Sequence, residues 1–457
     1  MAVHKIEKAF GIEVYATELL GTGGVIRSAV EDFVVEEVLV DGSRAKIETT
    51  ESHALRATLD KQGFLLCILV KQNWDTFIAI KNVARQLGIK QEQISIAGIK
   101  DAKAVTAQHI TIEHGTMEDI TKVNVKDIEI RPVGYFRDKL SPYYLLGNNF
   151  RIAIKAVNLA EHTIAKRIEA IMQEIEVAGG MPNFFGHQRF GTTRSITHRV
   201  GEAIVKDKLE DAVMLFLAEP SGYEHPASRQ ARKELQSTQD FKEALQNYPR
   251  QLRYERLILA HLVGKPRDFV GAFKRLPVKL QALFVQAYQS YLFNRFLSER
   301  IRSGFALNRA EVGDYVVKVE RTGLPMVKTG KIADAMALAE TNEAVKTGRV
   351  RVALPLVGFK QRLSKGVMGQ IERQILETEG VKAEEFKIDV LPELSGRGGL
   401  RATTAPIKNF RVLNISRTTD NLKAHQVTLE FMLLRGSYAT VLLRDIMKPK
   451  NPITAGF

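Results

Sequence analysis

Ile96-Ala-Gly-Ile-Lys-Asp-Ala-Lys-Ala-Val-Thr-Ala-Gln108 sets one carboxylate, Asp101, between two lysines, Lys100 and Lys103. The pattern around it predicts a pair of strands. Ile94, Ile96 and Ala97 lead in as a short apolar strand, Gly98 frees the backbone just before the acid, and Val105 to Ile112 runs on as a second strand. An acid held at the tip of such a pair is positioned by rigid backbone yet open to a ligand. A surface turn with a solvated Asp and two Lys has the same spacing, because short motifs recur by chance.

The flanking sequence extends this start into a β-rich region. Glu31 to Val38 mixes apolar and acidic positions, Phe64 to Val70 is a continuous apolar run suited to a central strand, and Phe150 to Lys155 alternates. Thr76 to Leu87 reads as a helix, with Thr76 as N-cap and Gly88 as its stop. A second helix opens near Asn158. It carries Ile164, Ile168, Ile171 and Ile175 at helical spacing and ends at Gly179-Gly180.

After this double glycine the texture changes. Residues 182–400 are helix-rich, with a long helix over Gln281 to Arg300 and basic clusters at Arg229-Arg232-Lys233, Arg349-Arg351 and Lys360-Arg362-Lys365. Gly396 to Arg401 reads as a flexible return connection. Strand texture then resumes at Phe410 to Ile415 and Val427 to Leu434, followed by a helix over Tyr438 to Met447. The expected fold class is α+β. The β-rich start, helix-rich middle and β-rich end suggest a discontinuous domain, 1–181 and 401–457, interrupted by a helix-rich insertion over 182–400.

The 457 residues suffice for two or three domains. Lys and Arg number 66 against 52 Asp and Glu, a net charge of +14. That excess suits a polyanionic partner, whose condensed counterions basic side chains displace. The single cysteine, Cys67, lies in an apolar run, so an intrachain disulfide and a Cys-rich zinc site are both excluded. No apolar stretch reaches the roughly 18 residues of a membrane span, and no signal-peptide core opens the chain. A cytoplasmic protein is expected, with no membrane partner and monomer as the default. A phosphate-binding loop, a His-Glu-x-x-His zinc helix and a Gly-x-Ser-x-Gly elbow are missing, and Gly21-Thr-Gly-Gly24 lacks dinucleotide spacing. His187 and His198 flank a basic, aromatic segment without partner ligands, which makes them structural or RNA-facing. The remaining chemistry is that of acids, bases and aromatics.

Gly98 to Gln108 resembles the catalytic motif of the TruD family of pseudouridine synthases, in which the Asp of Gly-x-Lys-Asp is catalytic. Further segments are similar in chain order: Glu31-Asp-Phe-Val-Val-Glu36, Gly147-Asn-Asn-Phe150, Pro182 to Gly191 continuing to Thr197-His-Arg-Val-Gly201, and Phe431 to Thr440. The length and the large middle segment look closer to the archaeal branch, and the resemblance implies a catalytic domain with a mixed, largely antiparallel sheet flanked by helices, interrupted by a helix-rich α/β insertion. Two positions depart from the bacterial pattern. Arg27 stands where a Lys precedes the acidic-aromatic strand, and Leu434-Arg435 replaces a Pro before the Gly436-Ser437 turn.

The resemblance implies a cofactor-free, metal-free isomerisation of uridine to pseudouridine in tRNA, at position 13. Uracil leaves ribose C1′, turns, and rejoins through carbon. Asp101 is then the catalytic carboxylate, as nucleophile or as base. Either role needs it ionised, and a nearby cation favours the charged form. Arg27 is the first choice for that partner and Lys100 the second, with a phosphate contact or solvent exposure as alternatives for Lys100. The target base must leave its stack at a cost of a few kcal/mol, and stacking on an aromatic ring returns about 1–3 kcal/mol. Phe150 and Phe431 are the implied platforms, and Asn148 the implied hydrogen-bonding partner of the uracil edge. The insertion is expected to capture RNA, with Arg189 and Arg199 as candidate tRNA contacts. A non-catalytic RNA-binding or RNA-chaperone protein of the same fold is the alternative, and a nucleotide-dependent RNA enzyme is disfavoured by the missing phosphate loop.

Overall fold

A computed structural model describes residues 2–48, 58, 63–417 and 424–457. The chain divides into two compact units, one of residues 17–181, 320–324 and 405–457, the other of 1–16, 182–319 and 325–404.

The first unit is built on an eight-stranded sheet. Its strands are β1 (Phe33–Leu39), β2 (Phe64–Gln72), β3 (Ile94–Ile96), β4 (Val105–Glu113), β5 (Ile128–Phe136), β6 (Leu145–Val157), β7 (Ile407–Arg417) and β8 (His425–Leu434). The order is β7-β8-β6-β1-β4-β2-β5, with β3 pairing β4 off this path. Only β1 and β4 run parallel; the other pairs are antiparallel. This is the mixed, largely antiparallel sheet that the family resemblance implies. The apolar run in β2 does occupy an interior position, and Cys67 within it is buried, which pushes its thiol well above the ordinary range. Helix α1 (Thr76–Leu87) is capped by Asp75, not Thr76: the Asp75 carboxylate accepts the N–H groups of Phe77 and Ile78. Gly88 ends it in the left-handed conformation at φ 67°. Helix α2 (Glu161–Val177) buries the four predicted isoleucines, and α3 (Ala439–Met447) is buried along its whole length.

Register decides which side chains share a face. Val35 pairs with Phe150 and with Thr106, Thr106 with Lys71, and Phe150 with Phe431. Glu37 pairs with Asn148, and Asn148 with Leu433. Directly opposed residues point to the same side of a sheet, as do residues two apart. One face therefore presents Lys71, Thr106, Gln108, Glu37, Asn148, Phe150 and Phe431. Gly147 permits the close approach of β6 to β8, since a Cβ there would lie 2.1 Å from the Leu433 carbonyl oxygen.

The second unit is helix-rich, around the 25-residue helix Val278–Arg302. It also holds a four-stranded antiparallel sheet in the order Gly399–Ala402, Val350–Leu356, Tyr315–Val319, Pro325–Ile332. The expected return connection is thus partly an edge strand. The unit also claims residues 1–16, which the sequence reading assigned to the sheet domain. The Phe10 ring stacks on Phe190 at 4.7 Å, Asn294 donates to the Phe10 carbonyl, and Glu13 pairs with Arg295 at 3.0 Å. Conversely, Leu324 packs with Val38, Leu146, Met432 and Leu434 in the sheet unit. No helix among the described residues is long and apolar enough to cross a membrane.

Candidate active site

Strands β3 and β4 form an antiparallel hairpin, and Asp101 lies in the loop between them. Five polar contacts hold that loop over the sheet face. The Lys100 ammonium donates to the Glu37 carboxylate at 2.6 Å, both groups buried. The Thr76 hydroxyl accepts the Lys100 N–H and donates to the Lys100 carbonyl, each at 3.2 Å. Gln108 Nε2 donates to the Gly98 carbonyl at 3.1 Å, and Lys71 Nζ to the Asp101 carbonyl at 2.8 Å. The backbone carrying the acid is fixed from several sides while the Asp101 side chain keeps 35% exposure.

Arg27 meets Asp101 as expected: Nη2 lies 3.3 Å from Oδ1. Its guanidinium also donates to the Gly456 carbonyl at 3.2 Å and sits 4.0 Å above the Phe33 ring. Burial lowers the Arg27 pKa and the Asp101 charge opposes that shift. Arg27 has φ 57°, a conformation costly for a non-glycine residue that its surroundings must enforce.

Lys100 is a correction. It is not the partner of Asp101 and not open to substrate, because Glu37 takes its charge inside the protein. Burial pushes the Glu37 carboxyl up, but the Lys100 charge and the His109 contacts outweigh that and hold it below the ordinary range. The His109 N–H donates to the second Glu37 oxygen at 2.9 Å.

Phe431 is the second correction. It is fully buried, lying between Phe410 at 6.2 Å and Phe150 at 5.5 Å, so no ring face is open to a base. Phe150 is 5% exposed and meets Phe33 edge-on at 6.2 Å. The aromatic series Phe410, Phe431, Phe150, Phe33 thus ends under the Arg27 guanidinium. Asn148 shares the face, and its Oδ1 is buried with no hydrogen-bond partner. Thr106 Oγ1, Gln108 Oε1 and Arg27 Nε are in the same condition. Buried groups with unused hydrogen-bonding capacity are costly, and a ligand or a bound water can supply the missing partner.

Glu37, Lys71, Thr106 and Gln108 were not singled out by the sequence. The signal for Glu37 was there. Two consecutive acids in a strand point to opposite faces, and while Glu36 reaches Arg44 at 2.5 Å, Glu37 turns into the core and needs a buried cation.

In the other unit, Arg189 donates to Ser290 at 3.1 Å and lies 5.7 Å from the Phe185 ring centroid. Arg199 is exposed and paired with Glu219 at 2.7 Å. His198 is buried between aromatic rings, and desolvation with the Arg199 charge lowers it to about 4, so it is a neutral packing residue. His187 is likewise buried, 3.4 Å from Glu7. Arg232 of the first basic cluster is buried between Glu224 and Glu255 and adds nothing to a basic surface.

Replacing Arg27 tests this reading of the charge pair. Arg27→Lys keeps the charge but cannot span the carboxylate, the Gly456 carbonyl and the Phe33 face together. If the acid reacts as the family resemblance implies, the kcat of Arg27→Lys is expected to fall roughly tenfold, and that of Arg27→Met roughly a hundredfold or more, with KM changing less. Equal kcat in wild type and Arg27→Met would remove Arg27 from the chemistry.

The sequence profile of the family described as tRNA pseudouridine synthase D (TruD) matches residues 9–446. A probable tRNA pseudouridine synthase D of Methanosarcina mazei is 37% identical over 455 residues, 99% of each chain. One of Thermococcus sibiricus is 36% identical over 439 residues, 95% of this chain and 97% of its own. A crystal structure assigned to tRNA pseudouridine synthase D of Methanosarcina mazei superposes with a TM-score of 0.84 at 36% identity, covering 99% of this chain and all of that one. With similarity over the whole length in both sequence and fold, the chain belongs to the TruD family of tRNA pseudouridine synthases.

Proposed function

We propose that the protein isomerises a uridine of tRNA, at position 13, to pseudouridine without a cofactor, through the carboxylate of Asp101. The observation that carries this is the Arg27–Asp101 pair at 3.3 Å, on a loop clamped over a face of aromatic and hydrogen-bonding side chains. The N1–C1′ bond of the nucleotide breaks, a C5–C1′ bond forms, C5 loses a proton and N1 gains one, so nothing is consumed. Asp101 acts at the sugar as nucleophile or base. Arg27 supplies the counter-charge to that carboxylate, 3.3 Å away. Asn148, with an unused buried oxygen, suits the N3–H of uracil. The Phe150 ring, backed by Phe431, suits the flat face of the base. Arg199 in the helix-rich unit is exposed and suits a phosphate, and Arg189 is the companion contact to test.

The intact acid and cation disfavour a purely RNA-binding role. The test is to incubate purified protein with unmodified tRNA, without nucleotide or metal, and map pseudouridine by carbodiimide adducts and primer extension. A single modified uridine at position 13 is expected. A product elsewhere overturns the position but not the reaction, and binding with no product supports the RNA-binding role.

A further inference from the structure

The sheet face under the Asp101 loop carries two charged groups that the reaction above does not use: Glu37, paired with Lys100, and Lys71. Lys71, near the end of β2, has no exposed surface. Its Nζ donates to two backbone carbonyls, Asp101 at 2.8 Å and Trp74 at 2.7 Å. No carboxylate among the described residues forms an ion pair with it. A methionine of similar length would fill the same space without the cost of burying a charge. The ammonium therefore calls for a reason beyond packing.

We propose that Lys71 is a positioning residue for the catalytic acid, locking the Asp101 backbone to the start of α1 and lending the site a second positive charge behind Arg27. The two carbonyls it joins belong to segments already linked at Thr76 and Lys100. Lys71 closes that link into a ring of 74–76 and 100–101, leaving only side-chain torsions to aim the carboxylate. A misplacement of about 1 Å can cost on the order of a hundredfold in rate.

The charge has a measurable consequence. Burial pushes the Lys71 ammonium down to about 8, with Asp101 and Asp75 opposing and Lys100 adding to the shift. The charged groups facing it are those three, and Lys100 is itself neutralised by Glu37. Below pH 8 the ammonium is present and the site is competent; above it the second charge is lost. Stability runs the other way. A lysine depressed in the folded state binds its proton more readily when unfolded, so its term in stability rises as pH climbs from about 8 toward 10.5. Activity and stability are thus expected to move in opposite directions on the alkaline side, which a merely structural lysine would not produce.

The inference rests on the proposed pseudouridylation, and Lys71→Met and Lys71→Gln in the full-length protein test it. Turnover on unmodified tRNA, the pH profile of kcat/KM and thermal melts are measured side by side. Both variants should lose roughly 10- to 100-fold in kcat with KM within about threefold, melt close to wild type because relief of the buried charge offsets the two lost hydrogen bonds, and lack the alkaline fall in kcat/KM near pH 8. Ionisation of uridine N3 is common to all three enzymes and cancels. Wild-type kcat in the variants, an unchanged alkaline limb, or loss of activity that tracks a lower melting temperature would each overturn the role. If Lys71→Met does not fold, Lys71→Gln, which keeps a donor, carries the comparison. Absence of product with the wild type fails the functional reading instead, so the two failures are separate.

Discussion

Asp101→Asn is expected to cut pseudouridine formation by roughly 10⁴-fold or more, the scale seen when a group acting directly on the reacting atoms is removed. Attack on C1′ or removal of a sugar proton needs the charge and basicity of a carboxylate, and an amide has neither. The fold has little at stake. Asp101 is one-third exposed and makes a single ion pair at 3.3 Å, and such pairs contribute about 0–1 kcal/mol. Arg27 keeps its Gly456 carbonyl and its place over Phe33. The asparagine oxygen can still accept one N–H. Binding of tRNA and the melting temperature should therefore stay close to wild type while product disappears. Single-turnover assays at saturating enzyme separate the chemical step from binding. Asp101→Ala guards against slow deamidation restoring the acid. An asparagine variant within tenfold of the wild-type rate would show that the carboxylate is not the reacting group.

Much of this site was legible before any coordinates, but unevenly. The β3–β4 hairpin follows from apolar alternation on either side of Gly98. The Arg27–Asp101 pair came from motif order, since 74 residues separate the two and no local pattern joins them. What failed was register. Two phenylalanines in separate motifs offer two platforms in the sequence, but Phe150 and Phe431 are direct neighbours across β6 and β8, and their stacking buries Phe431 and leaves Phe150 alone as the candidate. Lys100 looked available because it adjoins an acid in sequence. In the fold its ammonium reaches Glu37, 63 positions earlier, because a buried acid in β1 needs a cation more than an exposed acid does. No local pattern sets Lys71 apart from the polar end of an apolar run. The placement of residues 1–16 was equally hidden: their partners, from Phe190 to Arg295, lie far along the chain, and only tertiary contact reveals the assignment.

Glu37→Gln is the substitution expected to harm the fold most while touching no substrate. It leaves the Lys100 ammonium buried with no counter-charge, and removing one member of a buried pair costs about 3–5 kcal/mol. The amide keeps an oxygen for the His109 N–H but can turn only its NH₂ toward Lys100, which repels it. The loop carrying Asp101 then loses its deepest anchor, so activity falls together with stability. That coupling distinguishes Glu37 from Lys71, where activity falls alone. Glu37 is held below its ordinary value of 4.5, mainly by Lys100 against the opposing pull of burial. A carboxylate so depressed contributes stability that is complete above the unfolded pKa and is lost as pH falls through the folded one. Urea denaturation of wild type and variant should therefore differ by several kcal/mol at pH 7, and the gap should close in acid, where wild-type Glu37 also becomes neutral. Removing both charges, as Glu37→Gln with Lys100→Met, should recover part of the loss, because the second change removes the stranded cation. If the double variant is as unstable as the sum of the two single ones, the contacts act independently, and the Asp101 loop is held by its backbone and by Thr76 instead of by this pair.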